Sequence, residues 1–301
     1  MTWKDVNSNL LKRSGSGLKS LVTDSHAGIL IINSGNDVGV VRNGGRRGTC
    51  HGPKVLSSNL LKLAKRDFTK KINVITSCDH LTSTINFTDF QNSQSSFIQE
   101  LLNKQRSSVI HFGGGHDHVY PLVDAIIKEK GAVTVINLDA HLDTRNDDLR
   151  HSGTPFRQLK EEHKDDIDII QIGIHDYANA CGNYDGLDMT IQTVNEIKKL
   201  TKNFTDNKDY IESIFSNISS DRTIILSLDM DAIDGSEMPA VSAVNHDGLP
   251  MSFIRDVFMS YKCNVKQTSY IGIYEYNPLY DNMGCSSARA MASTLYNYLV
   301  D

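Results

Sequence analysis

The chain has 301 residues, 39% hydrophobic and 22% charged, which is long enough for one sizeable α/β core and ordinary for a folded globular protein. A formal net charge of −5 and a pI near 6.1 lack the basic surface that nucleic-acid or anionic-membrane binders use to displace counterions, so neither partner is expected and a small-molecule substrate is. No stretch approaches the roughly 18 uninterrupted apolar residues of a membrane span.

The opening segment, MTWKDVNSNLLKRSGSG, lacks the apolar h-region of a secretory signal. The five cysteines (Cys50, Cys78, Cys181, Cys263, Cys285) are odd in number, scattered and free of C-x-x-C spacing. That pattern predicts reduced thiols and a cytoplasmic location. Residues 1–25 read as a peripheral N-terminal segment of a single domain spanning 1–301.

Short apolar, β-branched runs follow in order at 28–33, 72–76, 108–112, 133–138, 167–172, 223–228 and 269–274. Each reads as a strand buried on both faces. Helical periodicity fills 91–104, 119–130, 207–219, 250–261 and 286–299. This alternation predicts an α/β fold, a mostly parallel sheet with helices on both faces, and no linker divides it.

In such sheets ligands bind beyond the carboxyl ends of the strands, and three of those ends are rich in metal-ligand types. They are Gly113-Gly114-Gly115-His116-Asp117, Asp139-Ala140-His141-Leu142-Asp143 and Asp229-Met230-Asp231-Ala232-Ile233-Asp234. If the strand ends stay extended, Asp139, His141 and Asp143 point one way, as do Asp229 and Asp231. Carboxylates packed around two imidazoles would repel unless divalent cations held them ionised. An oxygen-rich, thiolate-free set favours Mn²⁺ over zinc.

GGGHD (113–117), DAHLD (139–143) and SLDMDAID (227–234) together resemble the three signature motifs of the ureohydrolases, the arginase, agmatinase and formimidoylglutamase family, from about residue 37 to the C-terminus. The resemblance implies the three-layer αβα arginase-like fold and two Mn²⁺ ions per subunit. It implies His116, Asp139, Asp143 and Asp231 at one metal position and Asp139, His141 and Asp229 at the other, with Asp229 or Asp231 bridging. A homo-oligomer is compatible with it.

Within the family, the stretch from Asp37 to Gly48, with Arg42-Asn43-Gly44-Gly45-Arg46-Arg47-Gly48, resembles the formimidoylglutamase motif G-V-x-R-N-x-G-R-x-G. Ser152-Gly153-Thr154-Pro155-Phe156-Arg157 carries Ser-Gly where arginases and agmatinases usually carry His-Gly, and leaves His151 as a surface residue without a role. Arginine suits a glutamate-like substrate because its fork matches a carboxylate in bidentate fashion, so Arg145, Arg157 and Arg46, with Ser152, are the candidate substrate contacts. Tyr274-Glu275-Tyr276-Asn277-Pro278 resembles the family's E-x-N-P motif, which implies that Glu275 holds the cationic end of the substrate. His175 is a further candidate, read as an ordinary loop residue.

The resemblance implies hydrolysis of a linear amidine C–N bond, most readily N-formimidoyl-L-glutamate to L-glutamate and formamide in histidine degradation. Asp143 would serve as both ligand and proton carrier and Glu275 would position the amidinium. The alternatives are a urea-releasing agmatinase, guanidinobutyrase or other guanidine-cleaving enzyme, and a non-catalytic relative that only binds.

Overall fold

A computed structural model describes residues 17–77, 86–104, 107–265 and 268–300. Residues 1–16 and Cys78 lie outside that set. Among the described residues eight strands form one sheet: β1 (Ile29–Ser34), β2 (Ile72–Ser77), β3 (Ser108–Gly113), β4 (Val133–Leu138), β5 (Ile167–Ile174), β6 (Thr190–Thr193), β7 (Thr223–Asp229) and β8 (Tyr270–Tyr274). Their order is β2-β1-β3-β8-β7-β4-β5-β6, and every pairing is parallel.

The helices are α1 (Val38–Arg42), α2 (Gly52–Leu61), α3 (Phe87–Lys104), α4 (Val119–Lys130), α5 (Pro155–His163), α6 (Val194–Leu200), α7 (Lys208–Ser216), α8 (Met251–Asn264) and α9 (Ser286–Val300). Because side chains alternate along a strand, the apolar strands feed two separate cores. Ile29, Ile31, Ile110, Phe112, Leu226 and Leu228 pack with residues of α2, α6, α7, α8 and α9 on one face. Leu30, Ile32, Val109, Val133, Val135 and Ile225 pack with α3, α4 and α5 on the other. Helices on both faces of a parallel sheet make the three layers expected from the sequence.

β6 is the one strand without an apolar signal. It is a polar edge strand, TIQT, pairing only with β5 across an irregular register, so burial never demanded hydrophobic side chains there. In the N-terminal segment, Leu18 and Leu21 are buried in the first of the two cores, and Leu18 N–H donates to the Leu63 carbonyl. Among the described residues no helix is long and apolar enough to cross a membrane.

Candidate metal centre

The sheet order decides where the chemistry meets. β3, β8, β7 and β4 are consecutive neighbours, so His116 after β3, Glu275 after β8, Asp229 and Asp231 at the end of β7, and Asp139–Asp143 after β4 leave adjacent strand ends. Local turns then aim the side chains. The glycine run lets β3 pass under the β1 loop: a Cβ on Gly114 would sit 1.8 Å from the Asn36 carbonyl oxygen.

The extended strand ends expected for the two Asp motifs are not what the backbone adopts. Asp139 Oδ1 accepts the His141 N–H at 2.8 Å, and Asp229 Oδ1 accepts the Asp231 N–H at 2.8 Å. In each turn one carboxylate oxygen is committed to the backbone and the other faces the centre, that of Asp139 also accepting from Asn137 Nδ2 at 3.3 Å. Asp143 (φ 52°) and Glu275 (φ 64°) occupy the left-handed region. Neither is glycine, and such local strain in ordinary residues concentrates at functional sites.

His116 is fully buried, with Nδ1 2.9 Å from Asp139 Oδ2, 2.8 Å from Asp143 Oδ2 and 3.2 Å from Asp229 Oδ2. One ring nitrogen cannot donate to three carboxylates at once. His116 Nε2 lies 3.1 Å from Ser227 Oγ, a contact that can hold the proton on Nε2 and leave the Nδ1 lone pair facing the three oxygens. Tyr274 stacks on the imidazole at 5.1 Å and Phe156 meets it edge-on at 5.4 Å, which fixes the ring plane. Beside this group, His141 Nδ1 lies 3.2 Å from Asp231 Oδ2 and 3.7 Å from Asp139 Oδ1.

Among the described residues two groups could each hold a metal ion, His116/Asp139/Asp143/Asp229 and Asp139/His141/Asp231, with donor atoms within 4.8 Å of one another. Asp139 is common to both. This grouping differs from the division implied by the motifs: Asp229 falls with His116, and Asp231 with His141. Asp229 ends β7 opposite His116, whereas Asp231 sits on the following 3-10 turn and reaches His141.

The electrostatics fit a pair of dications. Without them, burial and then the neighbouring carboxylates push Asp143 up to about 6 and Asp229 well above its ordinary value. Burial would lower His116 and His141, but their carboxylate partners raise both. Burial likewise opposes ionisation of Asp139, yet the adjacent imidazoles of His116 and His141 hold it below the usual range. Buried carboxylates pushed toward protonation in this way are ones that a nearby dication would hold ionised. Asp231 Oδ1 and His116 Nδ1 are buried without a hydrogen-bond partner, as ligand atoms awaiting a metal would be. Four carboxylates against two dications also balance in charge.

The centre floors a cavity of about 330 Å³ lined by Asn43, His141, Asp143, Arg145, Ser152, Asn179, Asp229, Asp231, Ser242 and Glu275, among others. Two roomier clefts, about 480 and 630 Å³, open near the starts of β4 and β5 and of β7 and β8, and neither contains a histidine. A family model, "Arginase family", matches residues 29–300.

The chain belongs to the arginase family. It is 31% identical over 282 residues to a formimidoylglutamase of Staphylococcus carnosus, covering 92% of this chain and 87% of that one. The crystal structure of formimidoylglutamase from Bacillus subtilis superposes with a TM-score of 0.80 at 20% identity, covering 97% of each chain, a likeness of fold. Trypanosoma cruzi formiminoglutamase with Mn²⁺ superposes with a TM-score of 0.78 at 25% identity over 94% of this chain and 97% of that one.

In this arginase-family cavity, Glu275 is buried and its Oε1 accepts the His116 N–H at 3.0 Å. Burial, then the charge of Asp231, raises its pKa well above normal, the condition of a carboxylate that lacks a cationic partner. Arg145 and Ser152 line the wall. Arg157 and Arg46 do not. The Arg157 guanidinium is spent on the carbonyls of Thr144, Gly182 and Asp185, bracing the loops on either side. Arg46 packs 3.7 Å over the Tyr280 ring and donates to the Val241 carbonyl.

His151 is buried rather than superficial: Nδ1 accepts the Gly153 N–H at 3.0 Å and Nε2 lies 2.8 Å from Asp147 Oδ2. His175 is buried against Tyr177, with its backbone N–H on the Ala140 carbonyl. Sequence reasoning passed over Asn179, whose Oδ1 accepts Leu142 N–H while Nδ2 donates to the Ala140 and His175 carbonyls, clamping the DAHLD loop. It also passed over Ser227, though that serine stands inside a quoted motif, and Asn277, which holds the Arg46–Arg47 backbone through Nδ2.

Proposed function

We propose that this protein hydrolyses N-formimidoyl-L-glutamate to L-glutamate and formamide, with His116, Asp139, Asp143, Asp229, Asp231 and His141 holding two Mn²⁺ ions. The observation that carries the reading is one buried imidazole nitrogen within 3.2 Å of three carboxylate oxygens, beside a second imidazole–carboxylate set. The formimidoylglutamase likeness at 31% identity supports the substrate, and the Mn²⁺ in the Trypanosoma cruzi structure supports the metal. When bound, the two cations would supply Lewis acidity and a water of lowered pKa.

The chain's own residues do the rest. Glu275, anchored through one oxygen to the His116 backbone, turns its other oxygen to the amidinium and holds the reacting carbon over the centre. Asp143 takes the proton released by the attacking water and passes it to the leaving nitrogen of glutamate. Arg145 and Ser152 receive the carboxylate end at the wall. The free thiols Cys50, Cys181, Cys263 and Cys285 support a reducing, cytoplasmic setting.

The test is steady-state hydrolysis of N-formimidoyl-L-glutamate with added Mn²⁺, beside agmatine and L-arginine, assaying formamide and urea separately. Formamide release with the other two substrates inert is expected. Preferential urea release would replace this substrate with a guanidine.

A further inference from the structure

Resting on that reading of the cavity, we infer that Asn43 is a positioning residue that fixes the far wall as a hydrogen-bond donor surface and so selects a carboxylate-ended substrate. Arg145 Nη1 donates to Asn43 Oδ1 at 2.6 Å, and Asn43 Nδ2 donates to Ser152 Oγ at 3.1 Å. A guanidinium has no acceptor, so the Asn43 atom that faces it must be the carbonyl oxygen. The amide must then point its N–H at Ser152. With one lone pair of Ser152 Oγ taken by that N–H, its own hydrogen is left to donate, and no other acceptor for it is found among the described residues.

The hydrogen bonds thus run in one direction, from Arg145 through Asn43 to Ser152, and end on a donor facing the cavity. Aligned hydrogen bonds polarise one another, which strengthens the last donor. Asn43 and Arg145 are exposed, and further contacts orient the array. Arg145 Nη2 is 2.7 Å from Asp147 Oδ2, which also meets His151 Nε2 at 2.8 Å, and His151 Nδ1 accepts the Gly153 N–H. Ser152 N–H donates to the Gly39 carbonyl and Arg145 N–H to the Gly153 carbonyl. Asp147 offsets the charge of Arg145, so discrimination at this wall depends on donor direction as well as on net charge. An ammonium or guanidinium tail would meet the Arg145 charge, with only the remaining lone pairs of Ser152 Oγ and Asn43 Oδ1 to receive its hydrogens.

Asn43→Asp tests this with little change of shape. A carboxylate at this position can only accept, so Ser152 must turn its hydrogen away from the cavity, and a negative charge joins the wall. The measurement compares KM and kcat for N-formimidoyl-L-glutamate, and the inhibition constant of L-glutamate, across wild type, Asn43→Asp, Ser152→Ala and the double variant. Mn²⁺ content and melting temperature are recorded for each.

We expect KM and the inhibition constant to rise about 10- to 100-fold in Asn43→Asp, as for loss of a charge-assisted hydrogen bond, while kcat moves by less than about threefold. The double variant should be no worse than the poorer single one. Asn43→Ala, which removes the relay without adding charge, should lie between. An unchanged KM in a folded, metal-loaded Asn43→Asp protein, additive losses in the double variant, or a loss confined to kcat would overturn the inference. A wild type that never turns over formimidoylglutamate sinks the substrate assignment instead, and the two failures are distinguished by that control.

Discussion

His116 shows how much of this centre is set by single contacts. Ser227 meets one ring nitrogen, Tyr274 stacks on the ring plane, and three carboxylates crowd the other nitrogen. In metal-free protein this arrangement favours protons, and the linkage has a definite sign. Asp143, raised by burial to about 6 against 3.8, binds a proton when folded that it would not bind unfolded between those values. That proton stabilises the fold as pH falls through 6. His116 and His141, raised by their carboxylates, contribute stability that is fully present below 6.5 and lost as pH rises through their folded values. Metal-free protein should therefore melt at higher temperature as pH falls from 8 to 5. Protein loaded with Mn²⁺ should do the reverse, because protons compete for the same ligands. Scanning calorimetry of both forms across that range checks the opposed slopes, and parallel slopes would contradict a centre that exchanges protons for cations.

At the scale of elements, strands buried on both faces were legible because they leave long apolar runs, and the helices because their burial is periodic. Their bounds shifted by a few residues, as for α3, which begins at Phe87, since fraying ends carry no hydrophobic signal. The candidate metal-ligand set was legible as residue types at three strand ends. Its aim was not, because Asp139 and Asp229 are directed by turns that trade one carboxylate oxygen to the backbone, and Asp143 by a left-handed φ. Two of the candidate arginines lie outside the cavity lining for a related reason: a guanidinium also donates to carbonyls, and Arg157 meets three in its own chain. One close approach can be tested directly. Gly114→Ala places a methyl group 1.8 Å from the Asn36 carbonyl oxygen, so the β1 and β3 loops must part. The displaced loop carries His116, and a loss of about 3 kcal/mol or more in denaturant unfolding is expected, with weakened Mn²⁺ retention. A variant as stable as wild type would mean that this glycine is not what allows the two loops to approach.

Across the whole molecule, the order β3-β8-β7-β4 matters more than any one motif, because it brings ligands far apart in the chain, His116 and Asp231 among them, to neighbouring strand ends. No single segment can form the centre, so metal affinity requires the folded sheet, and binding to the folded state alone must raise its stability. At a free Mn²⁺ concentration 100 times the dissociation constant the gain is about 2.7 kcal/mol, which corresponds to a rise of roughly 5 °C for a protein of this size. Asp231→Ala removes a ligand from the His141 set while leaving the other set whole, and His141→Asn does the same from the imidazole side. Each should bind about one equivalent of Mn²⁺ tightly, show a smaller rise in melting temperature, and lose nearly all turnover. Metal analysis after gel filtration, with melting curves on the same samples, separates this from simple misfolding. A variant that kept two equivalents and the full rise would place the second cation somewhere other than between Asp139, His141 and Asp231.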